Sequence, residues 1–137
     1  MICRRFFERI FKVNFPKQRP EWLVNPITGG QMHLDGYCKK LKLAFEFNGP
    51  QHYVYYPKYH KSYEDFLKQQ ERDGIKAKLC KKMGITLIVV PHTLDYYEFQ
   101  DYIVEEYEKL TGKEIKTKYK YDWKTFKQEN LDISEFL

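Results

Sequence analysis

The stretch that decides the fold runs from Leu34 to His52, LDGYCKKLKLAFEFNGPQH. Leu41, Leu43, Phe45 and Phe47 alternate with Lys42, Ala44, Glu46 and Asn48, which is the period of a strand with one buried face. Glu46 therefore points away from the Leu and Phe residues, near the end of a strand that stops at Gly49-Pro50. Asp35 lies on a preceding extended run, and Tyr37 to Lys40 is short enough to be a hairpin turn. Antiparallel pairing brings Asp35 and Glu46 onto neighbouring strands, with Gln51 and His52 emerging just beyond. Two carboxylates, an amide and an imidazole at one sheet edge make a candidate metal-dependent hydrolytic site.

Working outward, Ile2 to Phe11 reads as an amphipathic helix with Ile2, Phe6, Ile10, Phe7 and Phe11 on one face. A helix that opens at the first residues leads us to expect a missing upstream part. Pro16, Pro20 and Pro26 make Phe15 to Pro26 a connector with at most a short strand at Trp22 to Val24, and Thr28-Gly29-Gly30 is a turn. Strands are expected near Met32 to Tyr37 and Leu41 to Asn48, followed by an aromatic loop from Gly49 to His60. Tyr63 to Met83 reads as a long helix, with Ser62 as N-cap, Asp65 at the capping-box position and Gly84 as the stop. Its expected buried stripe is Ile75, Leu79 and Met83, and Gln69, Asp73, Lys76 and Cys80 form a neighbouring stripe on which Asp73 and Lys76 share a face. Ile85 to Val90 is a continuous apolar, β-branched run, the mark of a strand covered on both sides and ended by Pro91. Strand, helix, strand makes a crossover, so this strand should run parallel to Leu41–Asn48. Tyr96 to Leu110 is a last helix. The expected class is α/β, a mixed central sheet flanked by helices.

The chain has 137 residues, of which 42% are hydrophobic and 18% aromatic, with 12 Tyr and 10 Phe, so it is long enough for one domain with a real core. The net charge of +5 favours an anionic partner, although 19 acidic residues are interspersed among 24 basic ones. Basic residues cluster at Cys3-Arg4-Arg5, at Lys76 to Lys82 and at Lys113 to Lys127, where they interleave with Tyr, Trp and Phe as a segment that tracks phosphates and stacks on bases would. Three scattered cysteines without a CxxC pair argue against a disulfide framework and, with four histidines, form no spaced zinc motif. There is no long apolar run and no signal-peptide pattern, so a soluble, intracellular protein, cytoplasmic or nuclear, with no membrane partner is expected.

LDGY, EFNGPQHY and RDGIKAKLCKKMGITLIVV together resemble the restriction-endonuclease-like, PD-(D/E)xK nuclease superfamily, in its branch related to very-short-patch-repair and certain phage homing endonucleases. The likeness covers about Arg19 to His92. It implies a restriction-endonuclease-like core and magnesium-dependent cleavage, most often of DNA. Asp35 matches the family's strand aspartate, the principal metal ligand, and Glu46 the first acid of the (D/E)xK element. His52 matches a histidine used as acid or base near the scissile phosphate, and Asp73 a helix aspartate that orients it. The backbone carbonyl of Phe47 falls where the family supplies a third metal oxygen. Leu34 stands where a proline would precede the aspartate, and Asn48 replaces the ExK lysine, for which Gln51, Lys61 or Lys76 could stand in. The family's first-helix glutamate has Glu8 as its only candidate on that helix.

Phosphodiester hydrolysis needs a nucleophilic water, charge stabilisation at the phosphate and a protonated leaving oxygen. Mg²⁺, or Mn²⁺ in its place, takes hard oxygen ligands and keeps several waters, and Asp35, Glu46 and the Phe47 carbonyl supply such oxygens. Gln51, His52, Asp73 and Lys76 are the candidate catalytic groups beside the two acids, and Asn48, Lys61, Arg72 and Lys76 the candidate nucleic-acid contacts. The expected organisation is a nuclease-like core over 1–112 and a basic aromatic extension over 113–137. The expected function is a metal-dependent endonuclease acting on DNA, as a homodimer if it cuts both strands. The alternatives are a catalytically inactive nucleic-acid-binding module on the same fold, and an RNA endonuclease.

Overall fold

The computed structural model describes residues 2–115, so the expected basic aromatic extension lies outside the described residues from 116 onward. The elements run α1 (Ile2–Phe11), β1 (Gly36–Cys38), β2 (Leu43–Asn48), α2 (Tyr63–Lys82), β3 (Thr86–Pro91) and α3 (Phe99–Thr111). Single 3-10 turns stand at Pro50–His52 and Tyr96–Glu98, the second taking the start of the helix expected from Tyr96. The strands form one mixed sheet in the order β1-β2-β3, with β1 antiparallel and β3 parallel to β2. The protein is thus a mixed α/β fold, a small three-stranded sheet flanked by helices.

Both faces of β2 are covered, and its alternation sorts the core into two layers. Leu43 and Phe45 join Ile88 and Val90 under α1 and α3, where Ile2, Phe6, Phe7, Phe99 and Ile103 are buried. Phe7 stacks on Phe45 at 4.5 Å between ring centroids and 15° between planes, and Phe6 meets Phe99 edge-on at 5.3 Å, both favourable aromatic geometries. On the opposite face Ala44 packs with Tyr37, Leu23, Met32 and Leu34 against Cys80, Ile75 and Leu79. Glu46 shares the Ala44 side and so faces α2.

Several expectations shift. The strand expected over Met32 to Tyr37 is confined to Gly36–Cys38, because Leu34 instead forms an isolated bridge with Gln18. The hairpin turn lies at Lys39–Lys42 rather than Tyr37–Lys40; Lys42 turns with φ +52°, and Leu41 is 41% exposed instead of facing the core. Gly36 has no substitute, since a Cβ there would sit 2.0 Å from the Phe45 ring that lies across it. On α2 the Ser62 hydroxyl accepts the Asp65 amide at 3.2 Å as expected, while Asp65 accepts the amide of Lys61 rather than that of Ser62. Gly84, at φ +72°, closes the helix with bonds Gly84→Lys81 and Ile85→Cys80, a Schellman end. Met83 is 46% exposed and leaves the expected buried stripe, whereas Cys80, from the neighbouring stripe, is fully buried. β3 is an edge strand and is not covered on both sides as expected, so Val89 keeps 36% exposure in a mostly apolar run. All three cysteines are free and buried. No helix among the described residues is long and apolar enough to cross a membrane.

This packing ranks two substitutions. Phe7→Ala, which empties the stack on Phe45, should cost about 3–5 kcal/mol in urea unfolding. Met83→Gln should stay within about 0.5 kcal/mol of wild type, and a loss comparable to that of Phe7→Ala would contradict the helix orientation described.

Candidate active site

β1 ends its ladder where Gly36 pairs with Phe45, and one step further Asp35 falls opposite Glu46. There the side chains continue the pairing. The Glu46 carboxylate accepts the Asp35 amide at 3.0 Å through Oε2, and the Asp35 carboxylate accepts the Phe47 amide at 2.9 Å through Oδ2. Each acid thus holds the other's strand, and each retains one oxygen uncommitted to that exchange. From α1, the Arg4 guanidinium donates to the carbonyls of Asp35 at 2.7 Å and Phe15 at 2.9 Å, pinning the backbone behind the pair. Arg4 is therefore occupied inside the fold rather than contributing to a basic patch.

The remaining Glu46 oxygen, Oε1, is met by the ammonium of Lys76 from α2. Both side chains are nearly enclosed, at 13% and 10% exposure for Lys76 and Glu46. Burial pushes the Glu46 carboxyl up to about 7; the Lys76 charge opposes the rise and the neighbouring Asp35 charge adds to it. Burial outweighs the ion pair here because desolvating a carboxylate costs more than one partly screened neighbour returns. His33 Nε2 lies 3.5 Å from Asp35 Oδ1, and burial together with the Lys76 charge holds its imidazole below the ordinary value.

One helical turn toward the N-terminus of α2, Asp73 Oδ2 lies 2.8 Å from His52 Nδ1. A carboxylate acceptor assigns the Nδ1 proton to His52 and leaves Nε2 as the base. The 3-10 turn over Pro50–His52 delivers this ring directly after β2. Gln69 and His60, which the sequence reading did not place in the site, continue the contacts: Gln69 Nε2 is 3.3 and 3.5 Å from the two His52 nitrogens, and Gln69 Oε1 is 2.8 Å from His60 Nε2.

Asp35, Glu46 and Lys76 are thus brought together, and His52 and Asp73 form a second pair on the same helix. Gln51 folds back over Gly49, where a Cβ would meet its Oε1 at 2.5 Å, and Asn48 ends β2 with its carbonyl accepting the His92 amide. Lys61 serves the start of α2 through its amide, and Arg72 is exposed beside Asp73. Phe47 is tied to Asp35 through its amide. Glu8 accepts the Phe15 amide at 2.8 Å and shapes the chain after α1. Two signals could have found the missed residues. His33 lies two residues before Asp35 on an extended run, and Gln69 lies four before Asp73 on a helix.

Among the described residues no three or more His, Cys, Asp or Glu side chains cluster as a metal site. Mg²⁺ does not require such a cluster, since it keeps several waters and is held by one or two carboxylates. The donor chemistry fits: Asp35 keeps Oδ1 outside the exchange with Phe47, and Glu46 Oε1, now met by the Lys76 ammonium, is the second carboxylate oxygen that a cation would share.

The chain is similar to three viral proteins, each described as uncharacterized. It is 44% identical over 92 residues to protein 033L of Invertebrate iridescent virus 3, a match spanning 67% of this chain and 47% of that protein. It is 41% identical over 108 residues to protein 307L of Invertebrate iridescent virus 6, spanning 68% of this chain and 55% of that protein. To protein 094L of Frog virus 3 it is 46% identical over 93 residues, spanning 67% of this chain and 60% of that protein. The chain therefore spans about half the length of the relatives it matches. No family model and no solved structure matches it.

Proposed function

We propose that this chain carries a metal-dependent phosphodiesterase site on a restriction-endonuclease-like core, an endonuclease acting on nucleic acid, with DNA as the first substrate to test. One observation carries the reading. Lys76 reaches Glu46 from α2, so the acid-acid-lysine set that Asn48 interrupts in sequence is complete in space. The element order, with the acids at the β1–β2 end and the basic helix following, supports the same core.

Asp35 and Glu46 would hold Mg²⁺ or Mn²⁺, with the Phe47 carbonyl as a further candidate oxygen. When bound, the metal supplies Lewis-acid polarisation of the phosphate and orients the reacting groups. Lys76 donates hydrogen bonds to the attacking water or a phosphate oxygen beside Glu46. His52, its proton fixed on Nδ1 by Asp73, accepts or returns a proton at Nε2. Arg72, on the exposed side of α2, and Lys61, just before its N-cap, are the proposed backbone contacts. A non-catalytic binding module has one observation in its favour: the acids are satisfied by backbone amides and Lys76 without a metal.

Nicking of supercoiled plasmid separates the two. With Mg²⁺ or Mn²⁺ the wild type should relax the plasmid and with EDTA it should not. Glu46→Gln, which keeps an acceptor for the Asp35 amide, should lose the activity, and Lys76→Met should lower it by about 10²-fold or more. Wild-type speed in Glu46→Gln would overturn the site. Salt-sensitive binding without cleavage of plasmid or an RNA strand would favour the binding module.

Without metal, the stability of the protein should depend on pH through Glu46. The folded-state value of Glu46, about 7, lies above its ordinary 4.5, so its favourable contribution is complete below the ordinary value and lost as pH rises through about 7. In EDTA, wild-type stability relative to Glu46→Gln should therefore fall between about pH 4.5 and pH 7 in urea unfolding and level off above. A flat or rising difference would contradict the burial described.

A further inference from the structure

We infer that His60 and Gln69 are positioning residues that set the orientation of His52, and that they tie the aromatic loop after β2 to the proton-transfer group of the site. His60 is 5% exposed, a buried polar side chain in a loop of exposed tyrosines. Its Nδ1 accepts the backbone amide of Tyr56 at 3.0 Å, and its own amide donates to the Tyr56 carbonyl at 2.9 Å. A ring nitrogen that accepts an N–H carries no proton, so His60 is protonated at Nε2. That proton is donated to Gln69 Oε1 at 2.8 Å. The Gln69 amide therefore has one orientation: oxygen toward His60, NH₂ toward His52.

The second half of the relay follows from distance. Gln69 Nε2 is 3.3 Å from His52 Nε2 and 3.5 Å from Nδ1. A group so nearly equidistant within the ring plane would collide with the carbon between the nitrogens. The amide consequently lies over the ring face, in line with neither lone pair. It holds the ring against rotation while Asp73 holds Nδ1 at 2.8 Å, and Nε2 stays open. Tyr55 stacks on His60 at 6.0 Å and Phe66 meets it edge-on at 5.4 Å, so the brace is packed on both sides. His52 is thus gripped by one carboxylate at its edge and one oriented amide on its face. The catalytic meaning of the grip rests on the nuclease reading; the grip itself does not.

Two variants of the full chain test it. Gln69→Ala removes both contacts. Gln69→Glu keeps an acceptor for the His60 Nε2–H and removes the donor facing His52, so a purely structural role would leave it wild type in behaviour. The first readout is long-range ¹H–¹⁵N NMR of the imidazoles at about pH 8, above the ordinary imidazole range. Wild type should carry the proton of His60 on Nε2 and that of His52 on Nδ1. Both variants should change the His52 ring pattern, with amide signals remote from α2 in place. The second readout is plasmid nicking, in which kcat should fall about 10–100-fold in both variants with KM within about two-fold. An unchanged His52 pattern in both variants, or a His60 proton on Nδ1 in the wild type, would overturn the inference. Absence of wild-type nicking with the expected NMR patterns would instead sink the nuclease reading and leave the positioning in place.

Discussion

The reciprocal bond between Asp35 and Glu46 is the constraint on which the site depends. β1 is three residues long, too short to align two strand ends by ladder alone. The acids extend it, each carboxylate accepting an amide of the facing strand at 2.9–3.0 Å. A hydrogen bond to a charged group contributes about 1.5–3 kcal/mol, and removing one partner of a buried charged set costs more than the bond itself. The acids are therefore fixed to within the tolerance of the sheet. Their remaining oxygens are left for Lys76 or a cation.

α2 supplies the other half. Ser62 and Gly84 fix its two ends, and with them its rotation against the sheet. Gln69, Asp73, Lys76 and Cys80 follow at helical spacing, so one stripe provides the amide and carboxylate around His52, the cation at Glu46 and a buried thiol. That thiol is pushed up to about 11 by burial and the nearby Glu46 charge, which makes Cys80 a neutral wall rather than a nucleophile. A polar stripe facing a sheet is costly unless every member has a partner, and here Gln69, Asp73 and Lys76 each do.

Much of this was legible because it rests on short-range rules. The period of Leu43 to Asn48, the cap at Ser62 and the stop at Gly84 mark elements found within a residue or two of their expected places. The pairing of Asp35 with Glu46 survived a hairpin turn shifted from Tyr37–Lys40 to Lys39–Lys42, since the acids sit at the far end of the ladder. What the residues could not reveal was tertiary. Met83 and Cys80 carry similar apolar character, and only the packing of α2 decides that one is 46% exposed and the other buried. Lys76 was one of three candidates to replace the ExK lysine beside Glu46, but which of them meets that acid, like His60 as the support of Gln69, has no local signature, because both contacts join residues distant in sequence. The basic segment after residue 115 lies outside the described structure.

The proposed nuclease site stands or falls on whether the carboxylate pair holds a divalent metal. Calorimetric titration of Mn²⁺ into the wild type and Asp35→Asn tests it most directly, since asparagine can still accept the Phe47 amide and spare the fold. The wild type should show one site, weakened at least about ten-fold, or about 1.4 kcal/mol, in the variant. Equal affinity in the two proteins, or no binding in the wild type, would contradict it.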